Sequence, residues 1–312
     1  MTAAWVAGSV RARSMTRRRL GRVGARSLAA EPTLDAATAL LVRTPYGHDV
    51  RPGMTLARAQ RAVYEALVWN VRVLGGWVPR QGADLLRVLL AAVEIANVTD
   101  HLRRLRGEEV AAPYRLGSLA TAWPRLAAAG DTAALRGALA TSAWGDPGGE
   151  SADEIVWAMR LSLADRAIAV APPATAWAAG AVALLLARGV TLEHPALTAG
   201  ARLSAARVVG PAAASATTLP GLAGALPAAG SWALAGVSGG TDLWRAECRW
   251  WARVEADAFA LTRSPRAGPA VVLGAVALLA VDAWRVRAAL EVAARADASP
   301  DALDPVVTDA LA

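Results

Sequence analysis

The chain has 312 residues, 55% of them hydrophobic and 5% aromatic, with a net charge of +7. Its single cysteine, Cys248, excludes an internal disulfide and fits a reducing compartment. Lysine is absent, which excludes the phosphate-cradling loop that ends in Gly-Lys-Ser/Thr and leaves Arg as the side-chain cation. Ala, Leu and Arg dominate, all strong helix formers, and alternating β-branched runs are nearly missing, so an all-α fold with a large core is expected.

The first predicted helix covers residues 4–23, with Trp5, Val10 and Leu20 among its apolar positions. Its basic run, Arg11, Arg13, Arg17, Arg18, Arg19, Arg22 and Arg26, precedes the first acid, Glu31. The arginines follow the short apolar start, which is the reverse of a secretory signal. Basic arms suit phosphate or acidic partners, although such runs are more often solvated helix faces. A short helix begins at Pro32-Thr33 and ends before Pro45. After a loop over 48–55, Thr55 caps a helix predicted over 56–78, and Asp84 caps a long helix over 85–106 that stops at Gly107. Shorter helices are expected over 116–128 and 132–141, followed by a hydrophilic linker at 145–151.

The order of long and short helices then recurs. Helices are expected over 153–170 and, after the Pro172-Pro173 turn, over 174–188 with Gly189 as the stop. Short ones follow at about 200–209 and 215–226, with a second linker at 236–241. A last pair covers 242–261 and 270–296, and residues 297–312 form an acidic tail with Asp297, Asp301, Asp304 and Asp309. A small tag closes the short-helix segments: a hydroxyl residue, then an aromatic, then usually Gly. It reads Thr44-Pro45-Tyr46-Gly47, Ser142-Ala143-Trp144-Gly145 and, more degraded, Ser231-Trp232. The last long-helix pair has no tag after it, whereas the first tag lies near the N-terminus. The expectation is three repeats, 48–147, 148–238 and 239–296, the last completed by 1–47, so that both chain ends share one unit.

Signals for catalysis are sparse. His48, His101 and His194 lack ligand spacing for zinc. Glu108-Glu109 reads as a solvated acidic pair, and Trp244, Trp250, Trp251 and Trp284 as helix packing rather than a ligand-stacking box. No cofactor or metal is expected. Arg17-Arg18-Arg19 could contact nucleic-acid phosphates, but no helix-turn-helix spacing accompanies it. The longest uncharged stretches, 171–187 and 208–241, contain prolines, glycines and many alanines. They predict buried helices, with no unbroken run of about 20 strongly apolar residues.

The pattern resembles a family, the C-type subunits of V-type and archaeal-type ATPases (known as d-type in eukaryotic enzymes). The opening Trp5-Val6-Ala7-Gly8-Ser9-Val10-Arg11 is similar to that family's first helix, and Leu40-Leu41-Val42-Arg43-Thr44-Pro45-Tyr46-Gly47 to its Leu-Leu-x-x-Thr-Pro-Tyr-Gly turn. Glu94-Ile95-Ala96-Asn97, with Arg103 and Arg106-Gly107, resembles its acid-x-x-Asn…Leu-Arg-Gly helix, and Leu116-Gly117-Ser118-Leu119 its Leu-x-x-Gly-x-Leu segment. The Asn position falls on Ala179 in the second unit and Arg285 in the third. The resemblance implies an all-α, funnel-shaped body of three pseudo-equivalent units around a pseudo-threefold axis. It implies a non-catalytic central-stalk protein, monomeric within its complex and peripheral to the cytoplasmic face of the cell membrane. Its partners would be D- and F-type rotor shaft subunits and the proteolipid c-ring. Arg17, Arg18, Arg19, Arg103 and Arg106 are the candidate partner-binding residues, because the guanidinium fork suits carboxylates. The competing readings are an Ala/Arg-rich helical regulatory or nucleic-acid-binding protein, and an integral membrane protein using 174–186 and 270–281.

Overall fold

The structure, a computed structural model, describes residues 3–192 and 196–295; the acidic tail and His194 lie outside the described residues. Among the described residues every regular element is helical and there is no strand, so the fold is all-α. In chain order the α-helices are α1 (Ala3–Thr16), α2 (Gly21–Ala29), α3 (Leu34–Leu41), α4 (Leu56–Gly75), α5 (Arg80–Leu89), α6 (Ala91–Leu105), α7 (Trp123–Leu126) and α8 (Thr132–Ala140). They continue as α9 (Ala152–Val170), α10 (Thr175–Thr191), α11 (Ala199–Val209), α12 (Pro211–Ala214), α13 (Leu219–Ala225), α14 (Ala228–Ser231), α15 (Leu243–Thr262) and α16 (Pro269–Ala294). The chain divides into two units: residues 1–82 with 248–312, and residues 83–247.

The first unit is organised by α16, whose buried positions run almost continuously from Val271 to Leu278 and resume at Val281. A helix apolar on all sides must be covered on all sides. Here α1, α2, α3 and α4 all pack on it, so segments from both ends of the chain share one core. Gly274 lets α15 approach closely, because a Cβ there would lie 2.6 Å from the Ala258 carbonyl oxygen. In the second unit α9 packs on α6, α10 and α11, while α10 also meets α13 and α14. Leu126, Leu135, Leu139, Ile155 and Met159 form a core around α6 and α9.

Local chemistry sets several ends, two of them, the Thr55 cap and the Gly107 stop, as the sequence predicts. Thr55 accepts from the Arg58 N–H, Asp131 from Ala134, and Ser151 and Glu154 form a reciprocal capping box. Gly107 stops α6 at φ +82°, where other residues are strained.

Other ends differ from expectation, each with a visible reason except one. The helix expected over 4–23 stops at Thr16, and α2 restarts at Gly21. The N–H groups of Leu20 and Gly21 are taken by Asp282, far away in sequence. The helix expected over 85–106 is two helices with a one-residue break at Leu90, for which nothing local accounts. Asp84 does not cap it; it lies inside α5 and accepts from Arg87 at 2.6 Å. The helix expected over 116–128 is a 3-10 turn (Gly117–Leu119) and the short α7, since Glu94 captures the intervening backbone donors of Thr121 and Ala122. The helix expected over 215–226 begins only at Leu219, as α13, where Thr218 accepts from the Gly221 N–H and Pro220 sits in the first turn; the short α12 precedes it. Gly189 is not a stop. Helix α10 runs through it to Thr191, and the glycine makes room for Trp157, whose ring a Cβ would meet at 2.7 Å.

Two helices, Pro172–Thr191 (α10 with its preceding turn) and Pro269–Ala294 (α16), are long and apolar enough to cross a membrane by length and composition. This corrects the expectation that no such run exists. Their most apolar windows are 61% and 67% buried, as the core helices of their units.

Candidate partner-binding surface and its buried anchors

In the second unit, α6 carries Glu94, which has no solvent exposure. Its carboxylate accepts from the backbone N–H groups of Thr121 (2.6 Å) and Ala122 (2.8 Å) and from the indole Nε1–H of Trp144 (2.8 Å). The tag Ser142-Ala143-Trp144 positions that indole. Ser142 Oγ donates to the Leu139 carbonyl oxygen (2.7 Å) and accepts from the Trp144 N–H (3.1 Å). One turn beyond Glu94, Asn97 Oδ1 accepts from the Tyr114 N–H and Nδ2 donates to the Tyr114 carbonyl oxygen.

The first unit contains the same construction. On α16, Asp282 is 2% exposed and accepts from the N–H groups of Leu20 (3.0 Å) and Gly21 (2.7 Å) and from the Tyr46 hydroxyl (2.8 Å). In the tag, Thr44 Oγ1 donates to the Leu41 carbonyl oxygen (2.7 Å) and accepts from the Tyr46 N–H (3.2 Å). Burial, with Asp282 beside it, pushes the Tyr46 hydroxyl well above its usual value, so it stays a donor. One turn beyond Asp282, Arg285 is 1% exposed and bonds both oxygens of Glu255, which is 3% exposed; Arg22 reaches the same carboxylate at 2.6 Å. Burial opposes the Glu255 charge, but the bonds from Arg285 and Arg22 outweigh it and leave the carboxyl below 4.5.

The third tag is simpler. Trp232 donates its indole N–H to the Ala229 carbonyl oxygen (2.7 Å), only three residues away. The facing helix α10 contains no acid, and Gly230 packs against the backbone of Ala179. The anchor is thus built twice with a carboxylate and once without.

The predicted arginines separate into two groups. Arg17 and Arg18 are exposed just after α1. Arg19 is half-buried: its Nε donates to the Thr16 carbonyl oxygen (2.8 Å) and its guanidinium lies 4.9 Å from the Phe259 ring centre. Burial lowers its pKa, against the opposing pull of Asp282 and Glu255. In the other unit, Arg103 and Arg106 are exposed and both bond Glu108, at 2.7 and 2.8 Å. These bonds raise Arg103 and lower Glu108 from their ordinary values. Such exposed pairs add little to stability.

Sequence reasoning singled out the tags but missed what they serve: the buried anchoring role of Glu94 and Asp282, and the Glu255–Arg285 pair. The available signal was an acid inside an otherwise apolar helix stripe. Each anchoring carboxylate already accepts three hydrogen bonds, which makes it a structural tie rather than an open acid or base. Trp251 stacks on Trp284 with ring centres 5.3 Å apart and meets Trp250 edge-on, as helix packing. His101 bonds the Ala129 carbonyl oxygen, and His48 stacks on Trp69. Among the described residues no three His, Cys, Asp or Glu side chains gather as metal ligands. The sequence matches no protein-family model and no curated protein.

Proposed function

We propose that this protein is a non-catalytic central-stalk subunit of a V-type or archaeal-type rotary ATPase, joining the rotor shaft to the membrane proteolipid ring. In this reading residues 48–147, 148–238 and 239–296 completed by 1–47 are three pseudo-equivalent units around a pseudo-threefold axis, forming a funnel. The protein is peripheral, sits at the cytoplasmic face, needs no cofactor and works by transmitting torque. The observation that supports it most is the duplicated anchor: Glu94 with Trp144, and Asp282 with Tyr46, tie an equivalent tag to an equivalent long helix. That duplication favours a body made of repeats, as the resemblance implies. The exposed arginines Arg17, Arg18, Arg103 and Arg106 are the contacts offered to acidic partner surfaces.

The test is purification of the tagged full-length chain from membranes of its source cell. A proteolipid ring and shaft subunits should co-purify, and their absence would overturn the reading. Charge reversal at Arg17, Arg18, Arg103 and Arg106 together should weaken that co-purification while leaving the circular dichroism spectrum unchanged. Full retention of the partners would remove the arginines from the interface.

A further inference from the structure

A cleft of about 280 Å³ opens within the first unit, between α1, the turn Pro45–His48, α4 and α16. Arg11 reaches it from α1, and Arg18 and Arg19 from the turn that follows α1. The Nε of Arg11 is buried and, among the described residues, has no hydrogen-bond partner. Native proteins seldom leave such a donor unmet unless a ligand or ordered water serves it. By contrast Arg13, two residues on, spends its guanidinium on the carbonyl oxygens of Thr262 (3.0 Å) and Ser264 (2.5 Å). Arg18 is exposed and, among the described residues, forms no ion pair. Among the described residues the one acid lining the cleft, Asp282, already accepts three hydrogen bonds. Among the described residues, the positive charge of the cleft therefore exceeds the negative charge that faces it. One wall is flat: Trp69, 43% exposed, stacks on His48 with ring centres 5.5 Å apart and an angle of 22°.

We propose that this cleft binds the phosphate group of a small phosphomonoester, held by Arg11, Arg18 and Arg19 with its organic part against Trp69. Guanidinium forks favour phosphate over a single carboxylate, because phosphate offers more acceptor oxygens and more charge. The volume lies at the small end of ligand pockets, which are roughly 300–1,000 Å³, and so suits a head group rather than a whole dinucleotide. Two sources carry this chemistry, a soluble phosphomonoester and the exposed phosphomonoester of an acidic lipid. The inference does not rest on the rotary reading, since the isolated full-length chain suffices to test it.

The experiment titrates the full chain calorimetrically with inorganic phosphate and with acetate at matched ionic strength. In parallel, the chain is sedimented with phosphatidylcholine vesicles, with and without phosphatidic acid. Phosphate should bind more tightly than acetate, and Arg18→Gln and Arg11→Gln should each weaken phosphate about tenfold, as loss of one charge-assisted contact implies. Arg18 is exposed, so its variant should keep the wild-type melting temperature and guards against misfolding in the other. Sedimentation that requires both phosphatidic acid and Arg18 assigns the lipid source; phosphate binding without it assigns the soluble one. The proposal is overturned if phosphate binds no better than acetate and phosphatidic acid adds nothing to sedimentation. Binding of either probe that is unchanged in Arg18→Gln overturns it as well.

Discussion

Helices α6 and α16 solve one problem in two ways. Each carries a buried acid that gathers two backbone N–H groups and one aromatic donor. One turn further on they part. Helix α6 has the neutral Asn97, which closes two hydrogen bonds on the Tyr114 backbone. Helix α16 has Arg285, buried and bound to the equally buried Glu255. The two units are accordingly vulnerable in different ways. A neutral strap fails by a few unmet hydrogen bonds, whereas an ionic pair fails by stranding a charge in a dry interior.

The largest effect should therefore come from Arg285→Met, expected to destabilise the chain by about 3–5 kcal/mol in urea unfolding. Adding Glu255→Leu should recover most of that loss, because the buried carboxylate that Arg285 leaves to Arg22 alone is then removed. A double variant no more stable than the single one would show that the pair is not the source. The same pair has a pH signature. A carboxyl held below its ordinary value contributes stability above that value and loses it as pH falls through the lower, folded one. The wild type should thus weaken below about pH 4. The double variant should weaken less over that interval, and parallel acid curves would refute this.

Next come the aromatic donors. Trp144→Phe removes the indole donor to Glu94 and part of a buried ring, at a cost of about 2–3 kcal/mol. Tyr46→Phe keeps the ring and deletes one bond to Asp282, for about 1.5 kcal/mol. If the two anchors are equivalent, both variants should lower the melting temperature, with Trp144→Phe the lower. The smallest effect belongs to Trp232→Phe. Its indole N–H serves a carbonyl three residues away, so the loss should stay under about 1 kcal/mol. A larger loss would mean that the third tag anchors something beyond its own turn.

What the sequence made legible follows the range of the interactions involved. Caps within three residues of their targets, such as Thr55 with Arg58 and Asp131 with Ala134, are set by local residue chemistry. The tags were visible because Thr44 and Ser142 act on residues two or three positions away. The break after Thr16 was not, because it is enforced by Asp282, whose partners Leu20 and Gly21 are 262 and 261 residues distant. Gly189 misled for a related reason: a glycine before a polar loop reads as a stop, yet here its missing side chain accommodates a tryptophan from another helix. Of the candidate site, the exposed arginines were readable as charge. The half-burial of Arg19, and the binding of Arg103 and Arg106 by one glutamate, depend on tertiary neighbours.

The packing of α1, α2 and α3 on α16 has a consequence for biosynthesis. Helices α1, α2 and α3 emerge from the ribosome well before α16, the surface that shelters them. At about 5–20 residues per second, they wait roughly tens of seconds for their mate. Residues 83–247, whose contacts are mostly internal, are complete in the meantime. Residues 83–247 can therefore mature before α1, α2 and α3 are covered, and those helices are natural clients for chaperones until α16 is made.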